Sequence, residues 1–203
     1  MTVALPFLLA LAILAPQAQP IVPASPTKWD SSLLRRKPEW YKTAEAQAIA
    51  AAVLQYQSKS GAWPKNTDLA KPVTPQILAG IESEGAADTI DNGATTTPMR
   101  FLALVAEASG DAQCRDAFDR GLEYLLAAQY PNGGWPQFFP LRAGYYSHVT
   151  FNDDATVNVL GLLRDIAAGK APYTFVGTPQ RARAEAALRR GVEVILRTQI
   201  RQD

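Results

Sequence analysis

RGLEYLLAAQYPNGGW, Arg120 to Trp135, is the stretch whose reading decides the fold. An apolar run at helical spacing breaks at Gln129, and three residues of turn chemistry lead to Gly133 and Trp135. The same wording returns as RGVEVILRTQ at Arg190 to Gln199, and in weaker form as QSKSGAWP at Gln57 to Pro64. A second theme repeats beside it: Asn92-Gly93-Ala94-Thr95 is echoed by Asp153-Asp154-Ala155-Thr156. Two themes recurring in fixed order are the mark of a repeated structural unit. Each unit reads as a helical hairpin, with a Gly-x-Trp turn after one helix and an acidic turn before the other. Such hairpins bury their apolar faces by curling against their neighbours, so the expected fold is all-α, an α/α toroid.

The rest of the chain supports a helical reading. Pro38 is suited to the first turn of a helix carrying Trp40, Tyr41, Ala44, Ala48, Ala52 and Tyr56, closed by Gly61. Trp63 to about Thr89 has scattered prolines and weak periodicity, and reads as a long connection. A second helix follows Asp91-Asn92 and runs through Met99 and Leu102 to Gly110. A third starts at Asp111, its expected N-cap, and a fourth covers Ala155 to Ala168 with Gly169 behind it. The fifth takes Thr178 as N-cap and Pro179 at its first position. No strand pattern stands out.

Composition sets bounds on function. The 203 residues are 47% hydrophobic and 19% charged, ordinary for one globular domain, and a net charge of +1 gives no electrostatic footprint for nucleic acid. Val3 to Ala15 is nearly all apolar, the length of a signal-peptide core and too short to span a bilayer. Residues 1–18 are therefore expected to be a signal peptide and 19–37 a linker, with the domain at 38–203. The protein is expected to be secreted, periplasmic or extracellular, monomeric and free of the membrane after cleavage. Cys114 has no cysteine to pair with and sits in a helical pattern, where an inert buried thiol is expected.

Equivalent places in two hairpins bring Asp91-Asn92 and Asn152-Asp153-Asp154 to one rim. Their carboxylate and amide oxygens are hard ligands suited to Ca2+ at about 2.3 to 2.6 Å. Simple helix capping is the competing reading of the same residues. The loop between them holds Phe138, Phe139, Tyr145, Tyr146 and Phe151, rings that pack against sugar faces or fill the wall of the toroid. Arg142 is a candidate clamp for a carboxylate, and His148 is either a substrate contact or a structural histidine. No nucleophile elbow, P-loop, zinc-protease or dinucleotide motif is present.

At NGGWPQFFPLRAGYYSHVTFNDDATVNVL, Asn132 to Leu160, and DNGATTTPMRFLALV, Asp91 to Val105, the sequence resembles the pectate lyases of polysaccharide lyase family 10. The resemblance runs from about Trp40 to Asp203. It implies a toroid that cleaves polygalacturonate (pectate) by Ca2+-dependent β-elimination. Carried over, Asp91, Asn92 and Asp153 match the calcium-site positions and are the expected metal ligands, and Asp91 and Asp153 are also the candidate catalytic carboxylates. Arg142, Tyr145, Tyr146 and His148 are the candidate substrate contacts. The arginine base that the resemblance implies would fall beyond Asp203, and the third Gly-x-Trp turn is also missing after Gln199. The chain is therefore expected to be the N-terminal part of a longer protein. Two other readings stand beside this one: a non-catalytic module binding acidic polysaccharide, and a triterpene-cyclase-like α/α barrel, whose Gln-Trp repeat resembles Gln129 to Trp135.

Overall fold

The structure is a computed structural model that describes residues 27–200. The expected signal peptide, and the expected linker as far as residue 26, lie outside the described residues. The fold is an α/α toroid arrangement, and no named strand occurs among the described residues. The α-helices are α1 (Ala44–Gln55), α2 (Pro75–Ser83), α3 (Thr96–Ser109), α4 (Ala112–Ala128), α5 (Ala155–Ala168) and α6 (Thr178–Thr198). Helices α3 and α4 form one hairpin and α5 and α6 the next, and the two hairpins pack side by side. None of these helices is long and apolar enough to cross a membrane.

The repeat is visible in atoms. Gln57 Nε2 donates to the carbonyl of Gly61 in its own turn at 2.9 Å and to that of Ala117 in α4 at 2.8 Å. Gln129 Nε2 does the same to Gly133 at 2.9 Å and Ala187 in α6 at 2.8 Å. The partner helix returns an arginine: Arg120 donates to Gln57 Oε1 and Arg190 to Gln129 Oε1. Each glutamine therefore ties its own turn to the backbone of the following hairpin. Trp63 and Trp135, both fully buried, donate their indole N–H to Val53 and Leu125, each at 2.8 Å.

Glycine is required where these turns meet the next helix. Gly61 and Gly133 have φ of +98° and +99°, and a Cβ would lie 2.4 Å from the Arg120 carbonyl oxygen and 2.2 Å from that of Arg190. Gly121 and Gly191 leave room for Trp63 and Trp135 to reach the helix surface.

Several boundaries differ from the sequence reading. Thr43 adopts extended backbone (ψ 156°) and caps α1 by accepting from Ala46, so the stretch from Pro38 is a separate 3-10 turn, Pro38–Lys42. The described part of the linker is also built in: Ser31–Arg35 is a 3-10 turn with Leu33 buried, its carbonyl accepting from Tyr41 Oη at 2.8 Å. Helix α2 lies inside the supposed connection, with Thr74 as N-cap and Pro75 next. No residue of it is fully buried, which explains its weak periodicity. The cap of α6 is Gly177, whose carbonyl accepts from Arg181 at 3.0 Å, one residue before the expected Thr178. Asp111 caps α4 as expected, accepting from Cys114 N at 3.1 Å, and α5 has the expected limits.

Candidate functional site

Two short turns precede α3 and α5: Asp91–Gly93 and Asn152–Asp154. They are built alike. Asp91 N donates to Thr89 Oγ1 and Asn152 N to Thr150 Oγ1, at 3.1 and 3.3 Å. Thr95 Oγ1 donates to the Thr89 carbonyl at 2.8 Å, and Thr156 Oγ1 to that of Thr150. The middle residues, Asn92 and Asp153, both take left-handed backbone, φ 50° and 48°, which Asn and Asp tolerate better than most residues. In this register the counterpart of Asp91 is Asn152, and that of Asn92 is Asp153. The turns lie against each other, so hairpin repetition does bring Asp91-Asn92 and Asp153 to one rim.

Their environments differ sharply. Asp91 is 2% exposed, whereas Asp153 is exposed and its Oδ2 accepts from its neighbour Asn152 at 2.6 Å. Asp91 Oδ2 receives Lys65 Nζ and Gln137 Nε2, each at 2.7 Å. Asp91 Oδ1 is buried with no hydrogen-bond partner. A buried carboxylate oxygen left open carries a desolvation cost of about 1–3 kcal/mol, which a ligand or cation at that atom would relieve.

Sequence reasoning missed Lys65 and Gln137. They follow Trp63-Pro64 and Trp135-Pro136, so they occupy the same place in successive Gly-x-Trp-Pro turns. That signal was readable, because an acidic residue of one theme needs donors from the other. Gln137 is 5% exposed and fixed through its carbonyl, which accepts Thr89 Oγ1 at 2.6 Å and Ile90 N at 3.2 Å. Asn92 Nδ2 donates to Asn66 Oδ1 at 3.0 Å, drawing another residue of the Lys65 turn to the site.

The loop residues divide. His148, Tyr145, Phe151 and Asn152 line a cavity of about 420 Å³ together with Gln137 and Thr150. Tyr145 and Tyr146 have ring centroids 4.0 Å apart, and Tyr146 meets Phe138 edge-on at 5.3 Å. The Tyr145 phenol is pushed up, first by its hydrogen bond with Tyr146 and, among lesser causes, by the Asp91 charge. Arg142 is engaged elsewhere: it donates to the carbonyls of Gly85 at 2.5 Å and Ala87 at 3.2 Å, with Cζ 3.8 Å from the Phe138 ring centroid. Phe138 also carries Lys65 Nζ at 5.2 Å from its centroid, so two cations attend one ring.

The donors at the rim, Asp91, Asn92, Asn152 and Asp153, are all hard oxygens, the chemistry that Ca2+ selects. No group of three or more His, Cys, Asp or Glu side chains placed to hold a metal occurs among the described residues.

The family described as pectic acid lyase matches residues 57–203. Among solved structures, the chain is similar to a mutant of family 10 polysaccharide lyase from Cellvibrio cellulosa in complex with trigalacturonic acid. Identity is 32% and the TM-score 0.67, covering 82% of this chain and 54% of that one. Another structure of family 10 polysaccharide lyase from Cellvibrio cellulosa is 35% identical with a TM-score of 0.65, covering 81% and 50%. The chain thus spans about half the length of these structures. No match was found among curated proteins.

Proposed function

Because the chain belongs to the pectic acid lyase family, polysaccharide lyase family 10, we propose that it acts in a pectate lyase cleaving α-1,4-linked polygalacturonate by Ca2+-assisted β-elimination. The observation that carries the reading is Asp91: a buried carboxylate with one oxygen fixed by two donors and the other left open, on a turn shared with Asn92 and packed against the turn that carries Asp153. On this reading Asp91, Asn92 and Asp153 hold Ca2+, and with two carboxylates in the set, oxygens of the uronate and water complete its shell. Bound there, the ion would draw charge from the sugar carboxylate and so acidify the proton on the adjacent C5.

The chain's own residues prepare that site. Lys65 and Gln137 hold Asp91 in one rotamer, so its free oxygen is presented without reorganisation. Tyr145, His148 and Phe151 form the wall against which a sugar ring rests. Both terminal nitrogens of Arg142 already donate to carbonyls and its guanidinium lies over Phe138, so Arg142 is read as tying the loop to the backbone at Gly85 and Ala87 rather than gripping the substrate. The proton-abstracting arginine is proposed to come from elsewhere in the protein. The same reading makes the protein exported and monomeric, acting on pectate outside the cytoplasm.

The test is incubation of the full-length protein with polygalacturonate and Ca2+. Ultraviolet absorbance from unsaturated uronide is expected to rise, to stop on chelation, and to fall at least tenfold in Asp91→Asn. Binding without product would favour a non-catalytic module. Chelator-insensitive release of saturated sugars would indicate hydrolysis and overturn the proposal.

A further inference from the structure

Asp91 Oδ2 has two donors, and they belong to different cavities. Gln137 lines the cavity with Tyr145 and His148. Lys65 lines another of about 510 Å³, whose walls include Asn92, Asn66, Thr67, Trp29 and Lys28. Asp91 is therefore held by one donor from each of two cavities. The second is not bounded by residues of the aromatic loop; it is made by the Lys65 turn, by the segment Lys28 to Ser31 and by Asn92, Gly93, Ala94 and Thr97 around the start of α3.

From this juxtaposition we infer that the second cavity is an additional subsite for an acidic sugar unit, so that a polymer seated at Asp91 extends beyond Asn92 and delivers a carboxylate to Lys28. The inference rests on the reading of the site as one for acidic polysaccharide. Its chemistry fits. Lys28 is exposed, and its charge acts on Asp30 without forming an ion pair among the described residues. Two acids line the same cavity and are engaged in the local backbone: Asp30 accepts from Ser32 N at 2.7 Å, and Asp68 accepts from Trp29 N at 3.0 Å and Ala70 N at 3.3 Å while pairing with Lys71 at 3.3 Å. Asn66 spends its carbonyl oxygen on Asn92, and the amide nitrogen of the same side chain faces no competing protein acceptor among the described residues. Thr67 and Thr97 hydroxyls add donors and acceptors of the kind that read sugar hydroxyls.

The experiment compares galacturonate dimer, trimer and tetramer, each with a methyl-esterified counterpart, by isothermal titration in Ca2+ with the wild-type chain, Lys28→Gln and Lys28→Glu. Backbone amide NMR shifts of the wild type are followed in parallel. The tetramer is expected to shift Asn66 and Thr67 as well as Tyr145 to Asn152, and the dimer only the latter group. Lys28→Gln should weaken tetramer binding about two- to fivefold, as for an exposed ion pair, with Lys28→Glu weaker still and the dimer and esterified ligands unaffected. Equal affinities of wild type and Lys28→Gln for the tetramer, or shifts confined to the aromatic loop at every length, would overturn the inference and leave the proposed function standing. If no acidic oligomer of any length binds, the proposed function fails and this subsite with it.

Discussion

Asp91 and Asn152 stand at the same step of two superposable turns, and the difference of one atom type between them decides how each is used. The carboxylate is buried and needs cationic and amide donors, while the amide stays at the surface and needs none. Lys65→Met should therefore cost about 1–3 kcal/mol in urea denaturation, since it strips a buried charge of its partner, with the lower part of that range favoured by the half-buried lysine. Added to Asp91→Asn, the same change should cost much less, because no charge is then stranded; additive losses would show that the pair is not coupled. Glycines give a second contrast. Gly133→Ala drives a Cβ into the Arg190 backbone and should cost about 2–4 kcal/mol, whereas Gly144, at φ +89° and ψ −157° in open space, should cost about 1–3 kcal/mol from backbone strain alone.

At the scale of elements, the glutamine at each hairpin end is the fastening. Gln129→Leu leaves the carbonyls of Gly133 and Ala187 and the Arg190 guanidinium without that partner, and about 2–3 kcal/mol of destabilisation is expected in thermal melts. Gln199, exposed and donating only to Ile195 in its own helix at 3.1 Å, should tolerate the same change within about 0.5 kcal/mol. This contrast also explains what was legible in advance. Helices α3, α4 and α5 carry buried stripes, so their apolar spacing showed in the sequence, and the Gln-Gly-Trp and Asp/Asn-Ala-Thr themes disclosed the repeated hairpin and the shared rim. Helix α2 buries no residue fully and left no stripe to read. Lys65 and Gln137 were passed over because a lone lysine and a lone glutamine carry no pattern until the two Trp-Pro turns are laid side by side. Arg142 looked free for the opposite reason: only the folded chain brings the Gly85 and Ala87 carbonyls to it.

Across the whole molecule, burial sets the response to pH. The Cys114 thiol, fully buried in α4, is pushed up from 9.0 to about 12 by desolvation first and then by Asp111. Burial also raises the phenols of Tyr41, Tyr56, Tyr124 and Tyr173. In each case the unfolded chain loses its proton at lower pH than the folded one, so stability is present below about pH 9 and declines as pH rises through the thiol and phenol ranges. Denaturation midpoints are expected to fall steadily above pH 9, and Cys114→Ala should remove the earliest part of that slope. A midpoint unchanged to pH 11 would contradict it. At the acidic end, burial alone would raise Asp165, but hydrogen bonds from Arg100 and Arg164 win and hold it low, so the link from α3 to α5 is lost as pH falls through the carboxylate range.

The glutamine fastenings have a consequence for synthesis. A hairpin leaving the ribosome cannot complete its own turn, because one acceptor for its glutamine and the arginine that grips it belong to residues not yet translated: Gln129 waits for Ala187 and Arg190. Maturation of the nascent protein is thus vectorial, each newly emerged pair of helices locking the one before it, and a translational pause between the two would hold the earlier pair in a loosely closed form.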